Sequence, residues 1–113
     1  MAMKPVHLAN PIYRMLQAVE EGDAAMMAND LHEDFMFVAD YSMEDREQWI
    51  AAAIEDFKTG SFKFNQPELL LETDDIVVFQ DIRVVDGKEV RHLNSTFFRD
   101  EKAWRTMINR VPL

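Results

Sequence analysis

The chain has 113 residues, of which 48% are apolar, and a formal net charge of -9. This length suits one domain and is too short for two independent cores, so we predict a single domain over residues 1–113. The acidic balance disfavours nucleic acid and anionic lipid as partners, and the absence of cysteine excludes disulfides, thiolate catalysis and Cys-ligated zinc.

The first ten residues show no helical or strand periodicity. They also lack an apolar stretch of the length that a signal peptide needs, and no apolar run elsewhere is long enough to span a bilayer. We therefore expect a soluble, cytoplasmic protein that makes no membrane contact. Residues 1–10 are expected to form an N-terminal extension, followed by a helical half with the first strand over 11–60 and an antiparallel sheet over 61–113.

Two helices are predicted before residue 32. Asn10 and Pro11 mark the start of the first, because proline is tolerated in the first turn of a helix. Gly22 can end this helix in the left-handed conformation. Asp23 is then a suitable N-cap for a second, short helix over 24–31.

A strand and a third helix follow. Residues 35–39 read Phe-Met-Phe-Val-Ala, a short apolar run between acidic residues that favours a strand. Ser42 and Asp45 have the spacing of a capping box. The apolar face that begins at Trp49 and includes Phe57 predicts a helix that ends near Gly60.

The second half predicts four strands and no helix. Acidic turn sequences at 74–75, 86–87 and 100–102 separate the apolar stretches 62–73, 76–85, 89–99 and 103–111. Pro67 is expected at an edge or a bulge, since proline cannot donate to a strand ladder. The element order is therefore α, α, β, α and four β, which predicts an α+β fold.

This order resembles the nuclear transport factor two-like superfamily, with its SnoaL-like and steroid-isomerase-like members, over roughly 12–111. The residues that carry the resemblance are Gly22 and Asp23 after the first helix, the acidic pair Glu33 and Asp34, and Trp104 at the last strand. It implies three N-terminal helices packed on a curved, mainly antiparallel sheet to form a cone-shaped pocket, and a homodimer through the outer sheet face. It does not imply one activity, because isomerases, cyclases, hydrolases, dehydratases and non-catalytic binders share this fold.

The steroid-isomerase pattern is not matched. Those enzymes use a tyrosine in the first helix, an aspartate that closes the first strand and an aspartate on a late strand, where this chain has Met15, Ala39 and Ser95. Tyr13 and Asp40 are close in sequence. However, a shift of two residues turns a helical side chain by about 200°, and a shift of one moves a strand side chain to the other face. The comparison argues against proton shuttling of the steroid-isomerase type.

Asp81 and Arg83 are the candidate catalytic residues. They share one strand face with Phe79, which the resemblance places inward. Trp49 and Phe57 are expected to line the same cavity, where burial would disfavour the charged form of a carboxylate and suit it to act as a general base, while Arg83 opposes this effect. Alternatively, the two side chains only pair with each other or with neighbouring strands.

Ligand-orienting residues are expected on the last two strands and the first helix. The family's Thr-Met pattern implies that Met107 and Asn109 turn inward on the last strand, with Ser95 on the strand before. Asn109 could orient a ligand carbonyl or be a buried amide that satisfies backbone groups. Tyr13 could point its hydroxyl into the cavity mouth or pack its ring on the third helix.

The three histidines have no recognised metal-site spacing, so no metal site is predicted. Acid-base chemistry of the expected kind would also need no organic cofactor. His7 lies in the N-terminal extension. His32 is expected to cap or pack beside the acidic pair. His92 is expected on the outer face, and it becomes an alternative base only if it faces inward.

The outer face is expected to be apolar. Its predicted members are Val78, Ile82, Val84, Thr96, Phe98 and Ile108. Monomers seldom expose such a patch, so we predict a homodimer through this face.

The leading functional hypothesis is a binder or enzyme of a small, largely apolar molecule. If the chain is an enzyme, we expect acid-base isomerisation, cyclisation or hydration with Asp81 as base and Arg83 or Asn109 stabilising developing charge. The alternative is a non-catalytic interaction or scaffold domain whose dimer surface is the functional element. Its cavity would be filled by the four side chains Met15, Met26, Phe37 and Met107.

Overall fold

Three helices lie against one face of a six-stranded sheet. The computed structural model describes residues 10–40, 42–60 and 67–113, and the side chains of all of these except 10–13 and 85. The elements are α1 Asn10–Glu21, α2 Ala24–Asp30, β1 Leu31–Ala39, β2 Ser42–Asp45, α3 Arg46–Lys58, β3 Glu68–Glu72, β4 Ile76–Val85, β5 Lys88–Arg99 and β6 Lys102–Pro112. The predicted α+β class is confirmed. The start of the predicted strand at 62–73 and most of the N-terminal extension, including His7, lie outside the described residues.

The turn between α1 and α2 has the predicted chemistry. Gly22 has a φ of 66°, a left-handed conformation that glycine adopts without the penalty of a Cβ atom. Asp23 caps α2, and its Oδ1 accepts a hydrogen bond from the backbone N–H of Met26 at 3.0 Å. These two residues reverse the chain, so that α1 and α2 pack against each other.

The capping box of α3 begins at Asp45. Its Oδ1 accepts from the backbone N–H of Gln48 at 2.9 Å, and its own N–H donates to Oε1 of Gln48 at 2.9 Å. The predicted pairing of Ser42 with Asp45 is wrong, because 42–45 form the short strand β2 instead. The Ser42 hydroxyl donates to the carbonyl of Ala39 at 3.0 Å.

The sheet has the order β2-β1-β6-β5-β4-β3. Its neighbours are antiparallel except for β1 and β6, which run parallel, so the predicted mainly antiparallel sheet is confirmed. Asp86 and Gly87 both have positive φ, 53° and 79°, and form the two-residue turn between β4 and β5. Such turns match the twist of a hairpin and leave Val85 paired with Lys88.

The main core lies where the helices meet the ends of β1 and β6. Its buried members are Ala18, Val19, Met27, Leu31, Phe35, Ile50, Ala53 and Ala103. A smaller cluster of Val77 and Phe79 packs under Leu16 of α1. The helices are therefore held on the sheet at one end. Among the described residues, no helix is long and apolar enough to cross a membrane.

Candidate functional site

A cavity of about 270 Å³ lies between the helices and the inner face of the sheet. Aromatic and aliphatic side chains form much of its wall, including Phe35, Phe37, Trp49, Phe79 and Ile108. The Trp49 ring lies 5.8 Å from that of Phe35 in an edge-on arrangement and 6.0 Å from that of Phe37. Trp49 and Phe79 thus lie where the sequence predicted them. A mostly apolar concavity of this size suits a small organic molecule.

The strand register brings three charged or titratable side chains into one row across the cavity floor. Asp81 of β4 pairs with His92 of β5, and His92 pairs with Arg110 of β6. Directly paired residues in antiparallel strands share a face and have Cβ atoms about 5 Å apart. The inner face therefore carries the row Asp81, His92 and Arg110 beside the apolar wall.

Asp81 is the most buried charged residue of the described chain, with 2% of its surface exposed. Its Oδ2 accepts a hydrogen bond from Nε of Arg83 at 3.0 Å, so the predicted pairing of these two side chains is observed. Arg83 lines the cavity, whereas Asp81 lies behind the wall. A ligand would consequently contact Arg83 directly and would reach Asp81 only through its neighbours.

His92 faces the cavity, and its predicted place on the outer face is wrong. It exposes 7% of its surface, and its Nε2 has no hydrogen-bond partner among the described residues. Burial is the main cause that lowers the pKa of His92 below its ordinary value of 6.5; the Arg83 charge lowers it further, and Asp81 opposes the shift. The imidazole is therefore neutral at neutral pH.

The two-residue turn at 86–87 could have predicted from the sequence that His92 faces the cavity. Because such a turn pairs Val85 with Lys88, counting back along both strands places His92 opposite Asp81. Alternation along β5 alone shows which residues share a face with His92, but it does not show that this face is the one that carries Asp81. Any assignment of Asp81 to the inner face therefore also assigns His92 to it.

Three predicted ligand-binding residues face away from the cavity: Ser95, Met107 and Asn109. Ser95 faces outward because it alternates with the inward-facing residues of β5. For Met107 and Asn109 the reason is a bulge, since Phe98 pairs with Ala103 and Phe97 with Arg105, which leaves Trp104 as an extra residue of β6. One extra residue exchanges the faces of all positions that follow it. Met107 is accordingly 43% exposed, and Ser95 pairs with it on the same face.

The same bulge places Ile108 on the inner face, whereas Thr96 and Phe98 lie there because they alternate in step with His92 on β5. The predicted outer position of all three is wrong. Two arginines stabilise the bulge. Arg99 and Arg105 stack on the Trp104 ring, with Cζ to centroid distances of 3.8 and 3.9 Å.

Two further inner-face residues were not predicted from the sequence, Asn94 and Thr106. The Thr96 hydroxyl bonds to Oδ1 of Asn94 at 2.8 Å and lies 3.0 Å from that of Thr106. These side chains form a polar strip between the aromatic wall and His92. Their positions follow from the register and have no local sequence signal.

Phe57 and Tyr13 do not join the described cavity wall. On α3 the inward positions recur at helical spacing; they are Trp49, Ala52, Ala53 and Asp56. Phe57 is the next residue after Asp56, so its side chain is rotated by about 100° away from this face and is 37% exposed. Tyr13 lies in α1, but its side chain is outside the described part of the chain.

His32 makes the local contacts expected of it. Its Nδ1 accepts a hydrogen bond from the backbone N–H of Asp34 at 3.0 Å, and its Nε2 lies 3.5 Å from Oδ2 of Asp100. Across residues 10–40, 42–60 and 67–113, no three His, Asp or Glu side chains come together in a way that could hold a metal ion.

The burial of His92 predicts a pH dependence of stability. Because the folded-state pKa lies below the unfolded value, the unfolded chain binds more protons as the pH falls through 6.5. The free energy of unfolding should therefore fall from neutral to mildly acidic pH, and the His92→Gln variant should show a shallower fall. Urea titrations at a series of pH values measure this; an identical slope in the variant would contradict the prediction.

Comparison with solved structures shows the fold. Neither a protein-family model nor a curated protein matches the sequence. An NTF2-like protein of unknown function from Cytophaga hutchinsonii is 10% identical, with a TM-score of 0.64 over 96% of this chain and 94% of that chain. A candidate polyketide cyclase from Sinorhizobium meliloti is 14% identical, with a TM-score of 0.70 over 90% of this chain and 95% of that chain. IdmH, a candidate polyketide cyclase from Streptomyces antibioticus, is 16% identical, with a TM-score of 0.60 over 96% of this chain and 92% of that chain. The chain therefore has the nuclear transport factor two-like cone fold that the sequence resemblance implied.

Proposed function

We propose that this chain binds a small, largely apolar molecule in the cone and moves a proton on it by acid-base chemistry that needs no metal or organic cofactor. The observation that carries the proposal is Nε2 of His92, which is buried at the cavity, has no hydrogen-bond partner in the described part of the chain, and belongs to the residue that pairs with Asp81. Polar atoms buried without a partner are uncommon and costly, so a ligand that bonds to this nitrogen would be favoured.

The roles that we propose for His92 and Asp81 differ from those expected from the sequence, in which Asp81 is the base. His92 is the proposed base, because it is neutral and lines the cavity. Asp81 is proposed as a positioning residue that stabilises the imidazolium after proton uptake. Arg83, which also lines the cavity, would stabilise negative charge that develops on a substrate oxygen.

The reaction class is proposed as isomerisation, cyclisation or hydration. Isomerisation and cyclisation can begin with the removal of a proton beside a carbonyl group, and in hydration the base takes the proton of the attacking water. Each of these steps suits a neutral base in an apolar cavity. The two candidate polyketide cyclases of the same fold are compatible with the cyclase alternative. The fold alone does not choose among these reactions.

Ligand binding can be tested with matched variants of adjacent residues on β6. Ile108→Phe places a larger side chain into the cavity, whereas Met107→Phe makes a similar change on the outer face. We expect uncharged ketones such as 1-tetralone to raise the thermal midpoint of the wild type and of Met107→Phe, but not that of Ile108→Phe. Equal shifts in both variants would show that the ketone binds elsewhere.

A homodimer through the outer face is also proposed. Val84 is 66% exposed there, together with Met107 and Val111. Arg91 on the same face has a buried Nε without a hydrogen-bond partner among the described residues. A second copy of the chain would cover this patch.

Light scattering should then give twice the chain mass of 13.2 kDa. Met107→Arg should shift the protein toward the monomer, since it introduces a charge into the proposed interface. A wild-type mass of one chain at micromolar concentration would refute the dimer.

The scaffold alternative has less support. Met15 and Phe37 contribute to the cavity wall and Met26 packs on the main core, yet a volume of about 270 Å³ stays open. Met107, the fourth residue expected to fill the cavity, lies on the outer face. The cytoplasmic location stays a prediction.

A further inference from the structure

Every arginine on the cavity wall is paired with a carboxylate of this chain. The pairs are Arg14 with Asp30, Arg83 with Asp81, and Arg110 with Asp40. No other arginine and no lysine is among the described residues of the wall. A carboxylate or phosphate on a ligand would have to compete with these internal partners, so the cavity is poorly suited to an anion.

Three other carboxylates of the wall, those of Glu44, Asp56 and Glu101, have no ion pair within the described part of the chain. Glu44 is half-buried on β2, where it pairs directly with Phe37 of β1 and shares its inward face. Asp56 lies two turns after Trp49 on the inward face of α3. Two of these three carboxylates thus lie on the side of the cavity that carries the aromatic rings, since Glu44 pairs with Phe37 and Asp56 shares α3 with Trp49. Glu101 lies instead in the turn between β5 and β6.

The aromatic rings on this side can also attract positive charge. Phe37 and Trp49 lie 6.0 Å apart with their planes at 34°, and Phe35 packs edge-on behind Trp49. The faces of such rings carry negative potential, and Trp is the strongest binder of cations among them. His92, the remaining titratable group of the wall, adds no positive charge at neutral pH because it is uncharged.

We propose that the ligand carries a protonated amine, which binds beside Glu44 against the rings of Phe37 and Trp49. The apolar remainder of the ligand extends along the inner face toward His92. This proposal rests on the proposed ligand-binding function and specifies its substrate class as an apolar amine. Nε2 of His92, which is buried and finds no hydrogen-bond partner within 10–40, 42–60 and 67–113, is an independent indication that the cavity accepts a ligand.

Three probes that share one ring system test the proposal by isothermal titration calorimetry at neutral pH. They are 2-naphthylmethylammonium, 2-naphthalenemethanol and 2-naphthoate. We expect the ammonium probe to bind about tenfold more tightly than the alcohol, because the Glu44 carboxylate and the ring faces both attract its charge, and the carboxylate to bind most weakly. Glu44→Gln should remove the carboxylate's share of this advantage, leave the smaller share of the rings, and leave the affinity for the alcohol unchanged.

The acidic chain attracts any cation to some extent, so the control must remove the same charge elsewhere. Glu55→Gln does this next to Asp56 but at an exposed position outside the cavity wall, and it should keep the advantage of the ammonium probe. Asp56→Asn provides a second variant of the wall in case Glu44→Gln perturbs β2, and it should reduce the same advantage.

Equal binding of the ammonium probe and the alcohol would overturn the cation site while leaving the proposed function intact. An advantage that Glu55→Gln removes as fully as Glu44→Gln would also overturn it, because the attraction would then be general. Failure of all three probes to bind would count against the ligand cavity itself, and therefore against both proposals.

Discussion

His92→Gln should abolish exchange of the α-protons of a ketone bound in the cavity. In D2O, a base that removes such a proton and returns a deuteron from solvent causes a loss of the α-proton signal in the NMR spectrum, without any need to know the natural substrate. The wild type should accelerate exchange of the α-protons of 1-tetralone. The exchange rate of the variant should be lower by about 100-fold or more, which is the usual contribution of a positioned base. Glutamine keeps a polar side chain of similar length but cannot accept the proton.

The matched control is His32→Gln, which removes the other histidine of the described chain at a site outside the cavity wall. This variant should catalyse exchange of the α-protons of the ketone at the wild-type rate. Asp81→Asn should slow the exchange through its effect on His92 and alter its pH dependence. Exchange that survives in His92→Gln but disappears in Asp81→Asn would contradict our assignment and make Asp81 the base, as the sequence hypothesis had it.

Phe35→Ala should cost about 3–5 kcal/mol of unfolding free energy, the range measured for truncation of a fully buried phenylalanine. Phe35 is 2% exposed and packs in the main core where β1 meets the helices, with its ring 5.8 Å from that of Trp49. Its loss would leave a cavity in contact with the ligand site. Urea unfolding followed by circular dichroism measures the change as a shift of the midpoint.

Phe57→Ala makes the same chemical change at a site that is 37% exposed and outside the core. It should cost about 1–2 kcal/mol, less than Phe35→Ala, since more than a third of the Phe57 surface stays in water and truncation there leaves no enclosed cavity. A similar loss of stability in both variants would mean that the core is not centred on Phe35.

Local signals in the sequence predicted much of the helical half. The end of α1 at Gly22 and the cap at Asp23 involve residues within one turn of each other, so their chemistry is visible without knowledge of the fold. The start of α3 was placed at the wrong residue, because both Ser42 and Asp45 have suitable capping chemistry. The pairing of β2 with β1 decides between them.

The inward-facing side chains were predicted correctly on β4 and incorrectly on β6. Asp81, Arg83 and Phe79 alternate on one strand, and the resemblance was sufficient to assign their face correctly. Met107 and Asn109 were assigned to the inner face by the family's Thr-Met pattern, and they lie on the other face because the bulge at Trp104 inserts one residue. The role of each of these residues as a catalytic or ligand-binding group remains a prediction that the exchange and binding experiments address.

Residue patterning was sufficient for the α+β class, the cap of α2 and the turn at 86–87, because these depend on near neighbours in the chain, and the cavity was implied by the family resemblance. The pairing of the wall carboxylates, the inward face of β6 and the polar strip of Asn94, Thr96 and Thr106 became apparent only from the folded chain. Those features depend on strand register, in which one additional residue reverses every side chain beyond it.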